Sequence, residues 1–226
     1  MATTTITDLA ILRLLQLSSA ALPVGGFSFS QGLEYAIDSG WIENQTDIEN
    51  WLLQQLNGSI SSVDIPILDR QMTAAANNDL KVLSYWNHYA LACRETSELR
   101  LTDTAMGNAL FKLIEKLDMP ITAPAEKECS FVTGFAMAAS YWNVDVRLAC
   151  IGFCWSWLEN QVAAATKLVP LGQASAQRLL GKLQVHIPAA IDQALTIADD
   201  DIGASLPAIA MASTFHETQY SRLFRS

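Results

Sequence analysis

Residues able to do chemistry are sparse in this chain, and their spacing completes no known site. His216-Glu217-Thr218-Gln219-Tyr220 opens like the HExxH helix of a zinc protease, but Tyr220 stands where the second histidine is needed. Gly26-Phe27-Ser28-Phe29-Ser30 opens like a nucleophile elbow, yet the closing glycine is missing, as is the strand from which an elbow turns. No Gly-x-x-x-x-Gly-Lys-Ser/Thr run exists to cradle the phosphates of a nucleotide. Cys150 and Cys154 lie one helical turn apart, a spacing that suits a soft metal. Packing as small apolar side chains is the favoured reading, because thiols are among the most buried groups. His88 sits among Tyr85, Trp86 and Tyr89 and reads as a core or rim histidine; Asp199-Asp200-Asp201 reads as a solvated turn. No cluster of His, Cys, Asp and Glu has metal-ligand spacing, so neither a metal nor another cofactor is expected. A hydrolase using Ser28 is a competing class, weakened because the three histidines, at 88, 186 and 216, are remote in sequence.

The composition points away from several functions. With 14 basic against 23 acidic residues the formal charge is −9, the wrong sign for phosphate-rich nucleic acid, and no basic run is present. Half of the 226 residues are hydrophobic and 16% are charged, the reverse of the balance that keeps chains disordered. Four cysteines in this length are not a disulfide framework, and no secretory leader pattern opens the chain, so a cytoplasmic protein with reduced thiols is expected. The uncharged stretch Cys129 to Val144 is too short to cross a bilayer. An acidic surface with few charges and many apolar groups suits contact with other proteins.

The elements that must position these residues are helices. Apolar residues recur at three and four through Ile6–Leu17, Leu80–Cys93, Arg94–Leu117, Glu126–Trp142, Asp145–Leu168, Gln173–Leu183, Pro188–Ala198 and Pro207–Glu217. A short helix is predicted over Gln31–Asp38. A capping box at Thr46 and Glu49 starts another, ending at Gly58, and Pro66 opens the next. No run alternates like a strand. The fold class is therefore all-α: one domain over 1–226, about ten helices around a central buried helix, with Asp145–Leu168 predicted as that helix because it is apolar on both sides.

Three segments stand out from this background. Leu22 to Ser30, with Pro23, Gly25, Gly26, Phe27 and Ser28, puts two phenylalanines in a loop, either tucked under the bundle or shaped as a contact surface. Arg94-Glu95-Thr96-Ser97-Glu98-Leu99-Arg100 packs four charges into seven residues, and Arg94 and Glu98 are spaced to pair on a helix. Residues 215–226 bring Phe215, His216, Glu217, Tyr220, Arg222, Leu223 and Phe224 to a chain end, where polar, loose sequence is usual. Aromatics and arginine dominate interface hot spots. Such a tail either docks on its own core or binds a partner, and the partner is favoured.

Taken together, these segments resemble the urease accessory protein UreF family almost end to end. Leu22 to Glu34 is similar to its N-terminal signature, and Arg94-Glu95-Thr96, Glu98-Leu99-Arg100 and Met106-Gly107 to its central one. Lys167-Leu168-Val169-Pro170-Leu171-Gly172-Gln173 with Gln177-Arg178-Leu179-Leu180 resembles the third, and His216 to Phe224 the C-terminal one. Ala20-Ala21 departs from the pattern, standing where many members carry a proline before Leu22-Pro23. The resemblance implies an all-α, homodimeric, non-enzymatic factor. Its implied partners are UreD (UreH in some organisms), the GTPase UreG and, through UreD, apo-urease, to which the assembly delivers nickel. It implies that the tail helps to hold UreD, and that Lys167 either anchors the GTPase or lines a nickel passage, beside the plain reading of a lysine favoured at a helix C-terminus. An arginine-finger role for Arg222 is a weaker possibility, and a generic helical adaptor unrelated to nickel is the alternative function.

Overall fold

The computed structural model describes residues 7–121 and 127–226. Among these residues there is no strand, and the chain is all-α as composition and periodicity predict. The helices are α1 (Asp8–Leu17), α2 (Leu33–Asp38), α3 (Gln45–Gln55), α4 (Ile65–Ala76), α5 (Leu80–Ala92), α6 (Ser97–Lys116), α7 (Phe131–Tyr141), α8 (Val146–Leu168), α9 (Gln173–Gln184), α10 (Ile187–Ala194) and α11 (Pro207–His216). One continuous hydrophobic core runs through them, from Ala10 to Phe224.

The central helix is α7 rather than α8. Every residue from Phe131 to Ala139 is buried, whereas α8 leaves Ile151, Trp155 and Trp157 partly covered and Lys167 exposed. Phe135, fully enclosed, meets Phe153 of α8 edge-on at 5.3 Å. Truncating a side chain so enclosed costs about 3–5 kcal/mol. The predicted start of this helix at Glu126 lies outside the described residues; residues 128–130 are not helical. The start at Phe131 is set from outside, because Asp103 of α6 accepts hydrogen bonds from the Phe131 N–H (2.8 Å) and from the Ser130 hydroxyl (2.8 and 2.9 Å). A carboxylate there satisfies an orphan amide and complements the positive end of the helix.

Two other predicted boundaries are corrected. The capping box is formed by Asn44 and Asp47, not Thr46 and Glu49. Asn44 accepts from the Thr46 and Asp47 N–H groups, and Asp47 accepts from the Asn44 N–H. Asparagine is the stronger cap, so the helix starts one residue before Thr46. Gly58 does not end it: α3 passes through a π-helical stretch, Leu56–Asp64, directly into α4. Pro66, with no N–H, would deprive the Ser62 carbonyl of its partner in a plain helix. Gly203 N–H donates to that carbonyl at 3.1 Å instead.

Candidate functional site

Three of the segments singled out in the sequence, far apart in the chain, reach the fourth, the C-terminal tail. The first comes from the loop after α1. Gly25 adopts φ +77°, a conformation that suits glycine, and starts a short 3₁₀ turn, Gly26–Ser28. Gly26 is buried against Asn160 of α8. Pro23 and Phe27 remain exposed, Ser28 is half-buried, and Phe29 is buried. The loop delivers Glu34, buried in the first turn of α2, to the tail: its Oε1 accepts the Leu223 N–H at 2.6 Å and its Oε2 the Phe224 N–H at 2.9 Å.

The central segment splits in two directions. Thr96 caps α6 by accepting the Leu99 N–H, so Arg94 precedes the helix and the predicted Arg94–Glu98 pair does not form. Arg94 is instead drawn inward, 2.6 Å from Asp64 and 2.9 Å from Asp103. Burial opposes its charge, yet Asp103 and Asp64 together hold its pKa above the ordinary arginine value. Burial outweighs Arg94 at Asp64 and raises that carboxyl's pKa. The three side chains help to line a partly open cavity of about 110 Å³ with Gln55 and Gln161. Glu95 stays at the surface, accepting from the Ser205 hydroxyl.

Glu98 turns the other way, toward α11. His216, fully buried, has Nδ1 2.8 Å from Glu98 Oε2 and Nε2 3.0 Å from Glu34 Oε2. Arg222 also donates to Glu98, at 3.1 Å. Burial raises the Glu98 pKa, against the pull of His216 and Arg222. Beyond this cluster the tail lies along the first loop. The Arg225 N–H donates to the Ser28 carbonyl, the Ser30 N–H to the Ser226 carbonyl, and the Ser226 and Thr102 hydroxyls share a hydrogen bond. Lys167, in the last turn of α8, holds its ammonium over both Phe27 (5.6 Å) and Phe224 (5.4 Å), which brings in the third signature.

Of the predicted site residues, Glu34, Glu98, Lys167, His216, Arg222 and Phe224 therefore meet in one place. Gln173 and Arg178 do not; they lie exposed on α9, with Arg178 bonded to Ser175. The tail, favoured as a partner-binding end, is seated on its own core through His216, Phe224 and Ser226, which are buried. Its outer face is nonetheless free: Tyr220 is fully exposed, Leu223 is 64% exposed, and Glu217 is at the surface bonded to Ser97. Sequence reasoning missed Asp64 and Asp103. The signal available for Asp103 was an acidic residue between two threonines within the predicted helix, Thr102-Asp103-Thr104.

Chemically this junction is a clamp. Both ring nitrogens of His216 are engaged by carboxylates, so the ring is not placed to serve Ser28 as a base. Cys150 and Cys154 are core residues, as favoured from sequence, and burial pushes the Cys150 thiol up to about 12. Among the described residues, no group of three His, Cys, Asp or Glu is arranged to hold a metal ion, and no helix is long and apolar enough to cross a membrane.

This all-α chain, whose C-terminal tail is fixed to α2 and α6 around a buried imidazole and two carboxylates, has clear relatives. The UreF family model matches residues 42–184. The urease accessory protein UreF of Marinomonas sp. (strain MWYL1) is 58% identical over 97% of this chain and 96% of its own length. Those of Psychrobacter cryohalolentis, 46% identical over 98% and 96%, and Alkalilimnicola ehrlichii, 44% identical over the full length of both, extend the match. The chain belongs to the UreF family.

Proposed function

We propose that this chain is a non-catalytic urease maturation factor. It acts in the cytoplasm as a homodimeric scaffold that joins UreD to the GTPase UreG on apo-urease during nickel delivery. One observation carries the reading: the signature segments bearing Glu34, Glu98, Lys167 and His216 are spent on fixing the tail, which leaves Tyr220, Leu223 and Phe27 outward as a rigid apolar display. Residues arranged this way recognise a protein surface, and their pre-ordering lowers the entropy lost on binding. A second display lies on α1, where Leu9, Leu12 and Leu15, spaced by three, are each more than 60% exposed. Contiguous apolar faces of this kind mark protein contacts. A factor with two such faces works by raising the effective concentration of the proteins it joins.

The test is activation of purified apo-urease with nickel, bicarbonate, GTP, UreD and UreG, with and without this chain. The chain should be required for full activation. Equal activation without it would refute the proposal.

A further inference from the structure

Gln55 of α3 and Gln161 of α8 carry carboxamides that are 3% and 2% exposed, and among the described residues Gln55 Nε2 and Gln161 Oε1 have no hydrogen-bond partner. Leaving a buried amide unpaired is costly, and two of them beside one cavity call for a partner from outside the chain. Both residues wall the cavity of about 110 Å³ next to Arg94, Asp64 and Asp103. One water needs about 10–15 Å³ of such space, so the cavity has room for a small organic molecule. Among the described residues that wall it, Glu95 alone is exposed. Much of the remaining wall is apolar, with Ile60, Val63, Phe131 and Phe153 all buried. An apolar cavity with a few convergent polar groups is the usual form of a small-molecule site.

The charges around the cavity select against a charged occupant. Asp64 and Asp103 outnumber Arg94, so an anion is repelled. An ammonium finds both acids already engaged: Arg94 donates to the two oxygens of Asp64, at 2.6 and 3.4 Å, and Asp103 accepts from Arg94, Ser130 and Phe131. A carboxamide side chain presents N–H donors and a carbonyl acceptor together. The uncharged group that answers both at once is another carboxamide. We propose that this cavity is a binding site for a free, uncharged small molecule carrying a primary amide, which hydrogen-bonds Gln55 and Gln161 and rests its apolar body against Phe131 and Phe153. Gln55 and Gln161 belong to α3 and α8, outside the tail on which the scaffold reading rests, so that reading can fail while the site stands.

The test is an NMR titration of the full chain with isobutyramide, isobutyrate and isobutylamine, three probes of one shape and different charge. Isobutyramide should bind saturably and shift the side-chain NH₂ resonances of Gln55 and Gln161. The two charged probes should bind more weakly by about tenfold or more, because burying an unpaired charge is expensive. Gln161→Met keeps the length of the side chain and removes its amide; it should weaken isobutyramide about tenfold through the lost hydrogen bonds. No saturable binding, equal binding of a charged probe, or unchanged affinity in the folded variant overturns the proposal. A capped peptide with a central glutamine that binds as tightly as isobutyramide would place the amide on a partner protein and overturn the assignment of a free molecule. Should Gln161→Met fail to fold, nuclear Overhauser contacts in the native chain decide. Isobutyramide methyl protons should contact the Phe131 and Phe153 rings; contacts elsewhere overturn the site.

Discussion

Replacing Gly107 by alanine should unfold this protein at a markedly lower temperature, although helix propensity alone favours alanine by about 1 kcal/mol. Gly107 lies in α6 where the helix meets the backbone leading into α7. A Cβ built there falls 2.0 Å from the Cys129 carbonyl oxygen, 2.7 Å from the Ser130 carbonyl carbon and 2.8 Å from that of Cys129. These are backbone atoms and cannot rotate away, so the two segments must part by roughly an ångström. That motion pulls on the Asp103 bonds to Phe131 N–H and Ser130 and on the Asn87 bond to Ser130 N–H, all between 2.8 and 2.9 Å. Overpacking costs about 1–3 kcal/mol, and each hydrogen bond to a charged group contributes about 1.5–3 kcal/mol. With the propensity gain set against these, a net loss of about 3–5 kcal/mol is expected. A chain of this length should then melt roughly 10 °C lower. Urea and thermal unfolding followed by circular dichroism measure it. Stability within about 1 kcal/mol of the native chain, or above it, would refute the close-packing argument.

Further outcomes follow from the same geometry. Asp103→Ala removes the cap of α7 and one of the two acids that neutralise buried Arg94; breaking such a pair should cost about 3–5 kcal/mol in urea unfolding. Iodoacetamide at pH 8 should modify half-buried Cys93 first and reach Cys150, whose pKa burial pushes up to about 12, only on unfolding; peptide mapping before and after urea reports the order. Arg222→Ala should loosen the tail through the lost Glu98 contact, by about 1 kcal/mol given the arginine's 41% exposure. It should leave GTP turnover per assembled complex unchanged, and a lower turnover with intact assembly would restore the arginine-finger role.

Much of this architecture could be read from local pattern. The long apolar stripe of α8 and its start after Asp145 depend on neighbours within a turn, and the helices formed near where periodicity placed them, although α6 starts at Ser97, capped by Thr96, rather than at Arg94. What was not legible depends on distant groups. Pro66 is tolerated inside a continuous helical run because Gly203 satisfies the carbonyl it strands. Arg94 pairs with Asp64 and Asp103 rather than Glu98 because its segment ends before the helix begins. His216 looked like half of a zinc motif; its partners, Glu34 and Glu98, lie 182 and 118 residues away in the chain. Within the candidate site, the division of the tail into a buried seam and an exposed face emerged only with the fold.

The most direct test of the scaffold account is a binding titration of purified UreD against the native chain and a Tyr220→Ala, Leu223→Ser double variant. Both side chains point outward, so the variant should keep its circular dichroism spectrum and melting temperature. The account predicts that the variant binds at least tenfold more weakly. Equal affinity in a correctly folded variant would contradict the claim that the docked tail presents the partner surface.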